Sequence, residues 1–244
     1  MEELDVHLPR TGEALVRVHA AALTRDELTW PVDRLPAIPS YELSGVVAEV
    51  APDVRDLSEG DEVFALTPFD RDGVAAEYAA VPAALLAPKP RRLTHVESAA
   101  LSLAGLSAWQ GLFEYGGLRE GERVRVLGAS GGVGHLAVQL ARGRVAAADE
   151  ACDLVFDTVG GELLAAALGA APRVVSVAEE AEGATYFVVE PNRAQLVELG
   201  RLADVGELEP AIDSVFPLEE AGAAFARVVQ RGKRGKVVLR VADD

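Results

Sequence analysis

The residues with the clearest chemistry are a glycine run, Gly128-Ala129-Ser130-Gly131-Gly132-Val133-Gly134, between a strand-like RVRVLG and a helix-like GHLAVQLAR. Small residues at a strand-to-helix turn let backbone amides close on a diphosphate, with the positive end of the helix behind it. Ser130, Gly131, Gly132 and Val133 are the candidate contacts, and a tight turn with no ligand is the alternative. No Gly-Lys-Ser/Thr follows, so the run is not a nucleoside-triphosphate P-loop. Asp157-Thr158-Val159-Gly160-Gly161 closes the apolar run DLVFD, at the carboxyl edge where open α/β sheets take ligands. Thr158 there either faces a bound ribose or caps the next helix. Tyr41 precedes another apolar run, where a phenol either donates to a carbonyl as charge builds on oxygen or simply packs. Lys233, Arg234 and Lys236 form a basic cluster, which reads by default as a solvated turn. His7, His19, His95 and His135 share no metal-ligand spacing, although His135 would feel a phosphate at the glycine run. Cys152 reads as a small core residue rather than a nucleophile.

These residues need elements to hold them. Glu13–Leu23 and Leu43–Ala51 read as strands, the turn at Glu59-Gly60-Asp61-Glu62 leads into VFALTPF, and AAEYAAVPAALLA follows. Pro31, Pro36 and Pro39 mark a loop between the first two. Such short strands suggest a small barrel or sandwich. Val96–Tyr115 has helical spacing, with Thr94 and Glu97 set as a capping box and Gly116-Gly117 as the stop. From Arg123 onward strands alternate with helices (RVRVLG, GHLAVQLAR, DLVFD, ELLAAAL, RVVSVA, ATYFVV, RAQLVELGRLA), the pattern of a doubly wound parallel sheet. After Gly206 come a short segment, the helix LEEAGAAFARVVQ and a final strand KVVLRV that belongs with the N-terminal strands. The expected fold class is therefore α/β. Residues 1–93 with 207–244 form a β-rich domain, and 94–206 a truncated parallel-sheet domain.

The 244 residues carry 23 Lys+Arg against 39 Asp+Glu, a formal charge of −16. That charge disfavours nucleic acid and anionic membranes as partners. No apolar run reaches the roughly 18 residues of a spanning helix, and the start MEELDVHLPR is acidic where a signal peptide is basic. One cysteine forbids an internal disulfide and any multi-thiolate zinc site. The expectation is a cytoplasmic globular protein.

Eight segments together resemble a known family: GEALVRVHAAALTRDEL, PSYELSGVVAEVAPDV, EGDEVFAL, AAEYAAVPAALLAPKP, ESAALSLAGLSAWQGLF, GASGGVGHLAVQLAR, DLVFDTVGG and RGKRGKVVLRV. The chain is similar to zinc-independent medium-chain dehydrogenases/reductases of the quinone-oxidoreductase, zeta-crystallin-like branch. The resemblance implies a GroES-like catalytic domain around a Rossmann-type domain, with NADPH in the cleft and NADH not excluded. It also implies hydride transfer to a quinone or to the β-carbon of an α,β-unsaturated carbonyl. It places Tyr41 and Thr24 near the acceptor oxygen, Thr158 at the nicotinamide ribose, and Phe187 and Val188 along the nicotinamide pocket. The strand Ala184–Val189 would be the seam of a homodimer. Tyr41-Glu42 stands where zinc-dependent relatives place His-Glu, so neither a catalytic nor a structural zinc is expected. Thr24-Arg25 replaces a common Asn-Pro and is either part of the substrate pocket or only a turn, and Glu42 reads as support beneath the site.

One departure is larger. Only residues 135–152 separate the glycine run from DLVFD, where the family has a helix, a strand, a second helix and a further strand that read the adenosine ribose. RVAAAD (Arg144–Asp149) looks like the second strand, with Asp149 near the position of an NAD-binding acid. From Asp149 to Asp153 the chain reaches at most ~14 Å, too short for a parallel crossover. Either RVAAAD is not a strand of the sheet, or the sheet loses its strands on that side. A helix leading right-handedly to one flank leads left-handedly to the other, so it must change face or the connection must be irregular. The adenosine half of the site is expected to be missing or rebuilt. The other functional reading is a cofactor-free relative that keeps the cleft for binding or non-redox work.

Overall fold

The computed structural model describes residues 5–6, 8–25, 27–30 and 37–243; Pro31, Pro36 and His7 lie outside them. Strand β1 (Glu13–Leu23) is the hub of a seven-stranded sheet. It pairs antiparallel with β2 (Glu42–Val50), β4 (Tyr78–Pro82) and β11 (Lys236–Arg240). Beyond β2 lie β3 (Glu62–Leu66) and β5 (Ala87–Pro88), and beyond β11 lies β10 (Ile212–Pro217). The register of β1 on β2 slips between Val18 and Ala20, which explains the solid apolar run in β1. Before the slip Ala14, Val16 and Val18 face the interior of the curled sheet. After it Ala21 and Leu23 do so, while Ala20 and Ala22 turn outward onto a helix. A bulge reverses the period-two pattern, so both faces of the later half need apolar cover.

That cover is α1 (His95–Trp109), capped by Thr94: the Glu97 amide donates to the Thr94 hydroxyl, and the Thr94 amide to the Glu97 carboxylate. Ala99 and Ala100 meet β1 and β11 on one side, and Leu101, Leu103 and Leu106 enter the main core on the other. Gln110–Tyr115 continues α1 as a π-helical segment ending at Gly116-Gly117. Gly111 is needed there, because a β-carbon would lie 2.3 Å from the Phe156 ring.

The second sheet is parallel, in the order β6 (Val124–Leu127), β7 (Leu154–Asp157), β8 (Arg173–Ser176), β9 (Thr185–Tyr186). Helix α2 (Gly134–Ala141) packs on the face shared with α1 through Leu136, Ala137 and Leu140. Helix α3 (Gly161–Ala167) packs on the opposite face with Leu164 and Ala167, beside Cys152 and Val155. Cys152 is thus a core residue, as its neighbours in sequence imply. Helix α4 (Arg193–Asp204) closes the main core against α1.

The shortened stretch resolves as an irregular connection. RVAAAD contributes one parallel bridge, Val145 to Val124, and β6 is otherwise the edge of its sheet among the described residues. Helices α2 and α3 lie on opposite faces, although β6→β7 and β7→β8 step the same way across the sheet. The two connections are therefore of opposite hand. The rare one is accommodated because the chain first runs out to β6's far side before doubling back.

Two elements differ from the sequence reading. The short segment after Gly206 contains β10, parallel to β11 and joined to it through α5 (Ala221–Val228). ATYFVV pairs only at Thr185 and Tyr186, because Phe187 turns into the core onto Tyr115, ring centroids 4.4 Å apart. The Gln110 side chain replaces the missing ladder, accepting from the Glu190 amide at 3.0 Å and donating to its carbonyl at 2.8 Å.

Candidate active site

The glycine run leaves β6 with Gly128 at φ +81°, and the Gly131 amide closes the turn on the Gly128 carbonyl at 2.8 Å. A β-carbon on Gly134 would lie 2.1 Å from that carbonyl, so only glycine lets α2 start here. Among the described residues no side chain caps α2. Among the described residues the amides of Gly132 and Val133 have no acceptor. Free amides at an uncapped helix start are the donor set an anionic phosphate requires. His135 braces the run: its Nε2 accepts from the Ala211 amide at 2.9 Å, so Nδ1 carries the proton and donates to the Gly131 carbonyl at 2.8 Å. Burial holds its pKa below the ordinary 6.5 and keeps it neutral. It is a brace inside the fold rather than a phosphate contact.

The run also touches the other sheet. Gly131 bridges Gly235, whose amide donates to the Ser130 carbonyl at 3.1 Å, and a β-carbon on Gly132 would lie 2.8 Å from the Lys236 side chain. From this contact Lys236 reaches into the interior. Its ammonium lies 2.6 Å from Glu42 Oε1 and 3.1 Å from Thr24 Oγ1, while Thr24 donates to the same carboxylate oxygen at 2.8 Å. Lys236 and Glu42 are buried, and Thr24 is half-buried. Among the described residues, Glu42 Oε2 is buried without a hydrogen-bond partner. Glu27 lies alongside, its two oxygens accepting from the Thr24 and Ser40 amides at 2.8 Å each. Burial, with a smaller push from the Glu42 charge, raises the Glu27 pKa to about 7.

The basic cluster is therefore not uniformly a solvated turn: Lys236 is a buried partner of Glu42 because β11 is a central strand, covered on both faces. Lys233 is partly buried, and its pKa is lowered by that burial and by the nearby Arg25. Arg234 and Lys236 lie near His135 at the start of α2, and Arg25 lies near Lys233, with the Asp213 carboxylate close by. Nothing in the segment ALTRDELTW distinguishes Glu27 from a solvated acid, so its burial shows only in the fold.

The remaining candidates fall into place as follows. The Tyr41 ring is buried against Trp30 (centroids 6.0 Å) and Phe69 (5.1 Å, edge-on), with Trp30 and Phe69 half-buried. Thr24 has its proton committed to Glu42 and its oxygen to Lys236. Thr158 does not cap α3; it donates to the Leu127 carbonyl at 2.8 Å beside Gly128. Phe187 is a core residue and Val188 is exposed. Asp149 sits in a turn at the amino-terminal foot of β6, where Glu150 is held by Arg123 and Arg125, and so lies away from the glycine run. The donor set does not fit zinc: at the Tyr41-Glu42 position an aromatic ring is packed away and an ammonium occupies the carboxylate. The groups around the glycine run do fit a nicotinamide nucleotide.

Residues 10–91 match the alcohol dehydrogenase GroES-like domain and residues 132–239 the zinc-binding dehydrogenase domain. A 2-methylene-furan-3-one reductase of Solanum lycopersicum is 32% identical over 97% of this chain and 74% of its own. A chloroplastic NADPH-dependent alkenal/one oxidoreductase of Arabidopsis thaliana is 31% identical over 94% and 72%. The quinone oxidoreductase of Coxiella burnetii superposes with a TM-score of 0.87 at 25% identity, over 98% of this chain and 93% of that one. The chain belongs to the medium-chain dehydrogenase/reductase family, as do these enone-reducing and quinone oxidoreductase relatives, and is an oxidoreductase that uses a nicotinamide cofactor. The alignment to the tomato reductase runs over 289 positions, more than the 244 residues here, so that relative has segments this chain lacks.

Proposed function

We propose that this protein reduces a quinone or an α,β-unsaturated carbonyl with a reduced nicotinamide nucleotide, without zinc. The observation that carries the reading is the Lys236–Glu42–Thr24 network abutting the glycine run. Ser130, Gly131, Gly132 and Val133 would hold the diphosphate, and Thr158 and the backbone near Val188 the nicotinamide side. When bound, the nicotinamide supplies the hydride. Trp30, Tyr41 and Phe69 offer a flat conjugated acceptor an aromatic wall. As negative charge gathers on the acceptor oxygen, Thr24, the half-exposed member of a buried network, turns its proton from Glu42 to that oxygen. Lys236 replaces that proton, and Glu42 holds the ammonium in place. Tyr41 serves as wall more than as donor. The protein works as a homodimer joined along 184–189, where Tyr186 and Val188 are exposed at a sheet edge.

The test is loss of nicotinamide absorbance with a simple quinone and a simple enone. Thr24→Val should lower kcat by about 10²-fold, with cofactor affinity unchanged. An unaltered kcat would remove Thr24 from the chemistry, and no turnover with any such acceptor would favour the cofactor-free reading.

A further inference from the structure

Resting on that reading, the shape of the shortened connection says which part of the cofactor is recognised. In a doubly wound sheet the adenosine ribose lies beside the first strand and is read by an acid at the end of the next strand out. Here that neighbour is one bridge, at the wrong end. The Val124 amide donates to the Arg144 carbonyl at 2.9 Å, and the Ala146 amide to the Val124 carbonyl at 2.8 Å. Val124 opens β6, whereas the glycine run leaves it after Leu127, roughly 10 Å further along at strand rise. The chain then stays at the foot. The Ala147 amide binds Glu150 Oε2 at 2.9 Å, Arg123 binds the same oxygen at 2.6 Å, and the Arg123 amide binds Asp153 at 2.8 Å. Asp149 is fixed within this turn, a strand's length from where a ribose would lie.

The local guanidinium groups are committed as well. Arg142 pairs with Glu207, and Arg144 donates to the Ala141 and Arg119 carbonyls while lying over Phe113. Among the described residues the connection from α2 to β7 places neither an acid for a 2′-hydroxyl nor a cation for a 2′-phosphate at the carboxyl end of β6; the cations near the glycine run, Lys233 and Arg234, come from the turn before β11 in the other sheet. The diphosphate donors are complete by contrast.

We propose that this protein recognises its hydride donor only as far as the diphosphate, so that the adenosine half goes unread. NADPH, NADH and reduced nicotinamide mononucleotide should therefore serve as near-equivalent donors. A protein with a full nucleotide cradle would separate them sharply.

The experiment is an equilibrium titration of the full chain with each of the three, followed by nicotinamide fluorescence, with quinone turnover measured in parallel. Dissociation constants within about tenfold of one another, ~1.4 kcal/mol, are expected. Asp149→Ala should leave the NADH-to-NADPH ratio unchanged. A preference of about 100-fold or more for either dinucleotide, ~2.7 kcal/mol, or binding of NADPH without the mononucleotide, would overturn the inference while leaving the oxidoreductase reading intact. A tenfold or larger change of the ratio in Asp149→Ala would overturn it equally. Failure of all three to bind would remove the cofactor site proposed at the glycine run, and this inference with it.

Discussion

At the scale of the residue, two buried titratable groups act in opposite directions. Glu27, with a pKa raised from 4.5 to about 7, binds a proton more readily folded than unfolded. Its contribution is present at low pH, falls as pH rises from about 4.5 to about 7, and is flat above that. His135, with its pKa lowered by burial, makes the fold lose stability as pH falls below its ordinary 6.5. The two slopes partly cancel in the native protein, so the informative quantity is a difference. Glu27→Gln surrenders one acceptor for the Thr24 and Ser40 amides and should be less stable at pH 5. The gap to the native protein should then narrow by roughly 2–3 kcal/mol by pH 8, at ~1.4 kcal/mol per pKa unit. Urea unfolding at both pH values measures this; a gap independent of pH would mean Glu27 is ionised throughout.

At the scale of the element, much was legible and the exceptions have identifiable causes. The capping box, the glycine-run turn and the Gly116-Gly117 stop are local, and local chemistry decided them. The bulge in β1, the parallel β10 and the inward turn of Phe187 depend on partners distant in sequence. The burial of Lys236 is of the same kind, since it follows from β11 lying between β1 and β10. That strand ties both sheets together through Gly235 and Lys236, so its lysine bears on stability as well as on the site. Lys236→Met leaves Glu42 buried without a counter-charge and should cost roughly 3–5 kcal/mol. Adding Glu42→Gln should recover a large part of that in urea unfolding. Equal stability of single variant and native protein would show that the pair is hydrated.

At the scale of the whole molecule, the length argument on residues 135–152 anticipated an irregular connection, and the opposite-handed step from β6 to β7 is the form it takes. The candidate site was only partly readable. The glycine run announces itself by type, whereas the Glu27, Glu42 and Lys236 group exists only once three strand ends meet. The exposed edge at β9 carries the expectation for assembly. Tyr186→Asp together with Val188→Asp should convert a dimer into a monomer in light scattering, with the parallel sheet intact by circular dichroism. A doubly substituted dimer would place the seam elsewhere.

The account stands on the free amides of Gly132 and Val133 receiving a phosphate. Its most direct test is calorimetric titration of NADPH into the native protein and into Gly131→Asp, which sets a carboxylate among those amides. Among the described residues, the β-carbon of that substitution would meet within 4 Å only the Gly128 carbonyl, at 3.2 Å. Saturable heat in the native protein and at least about tenfold weaker binding in the variant, ~1.4 kcal/mol, are the expected results. Equal binding by the two proteins, or no heat in either, would contradict the account.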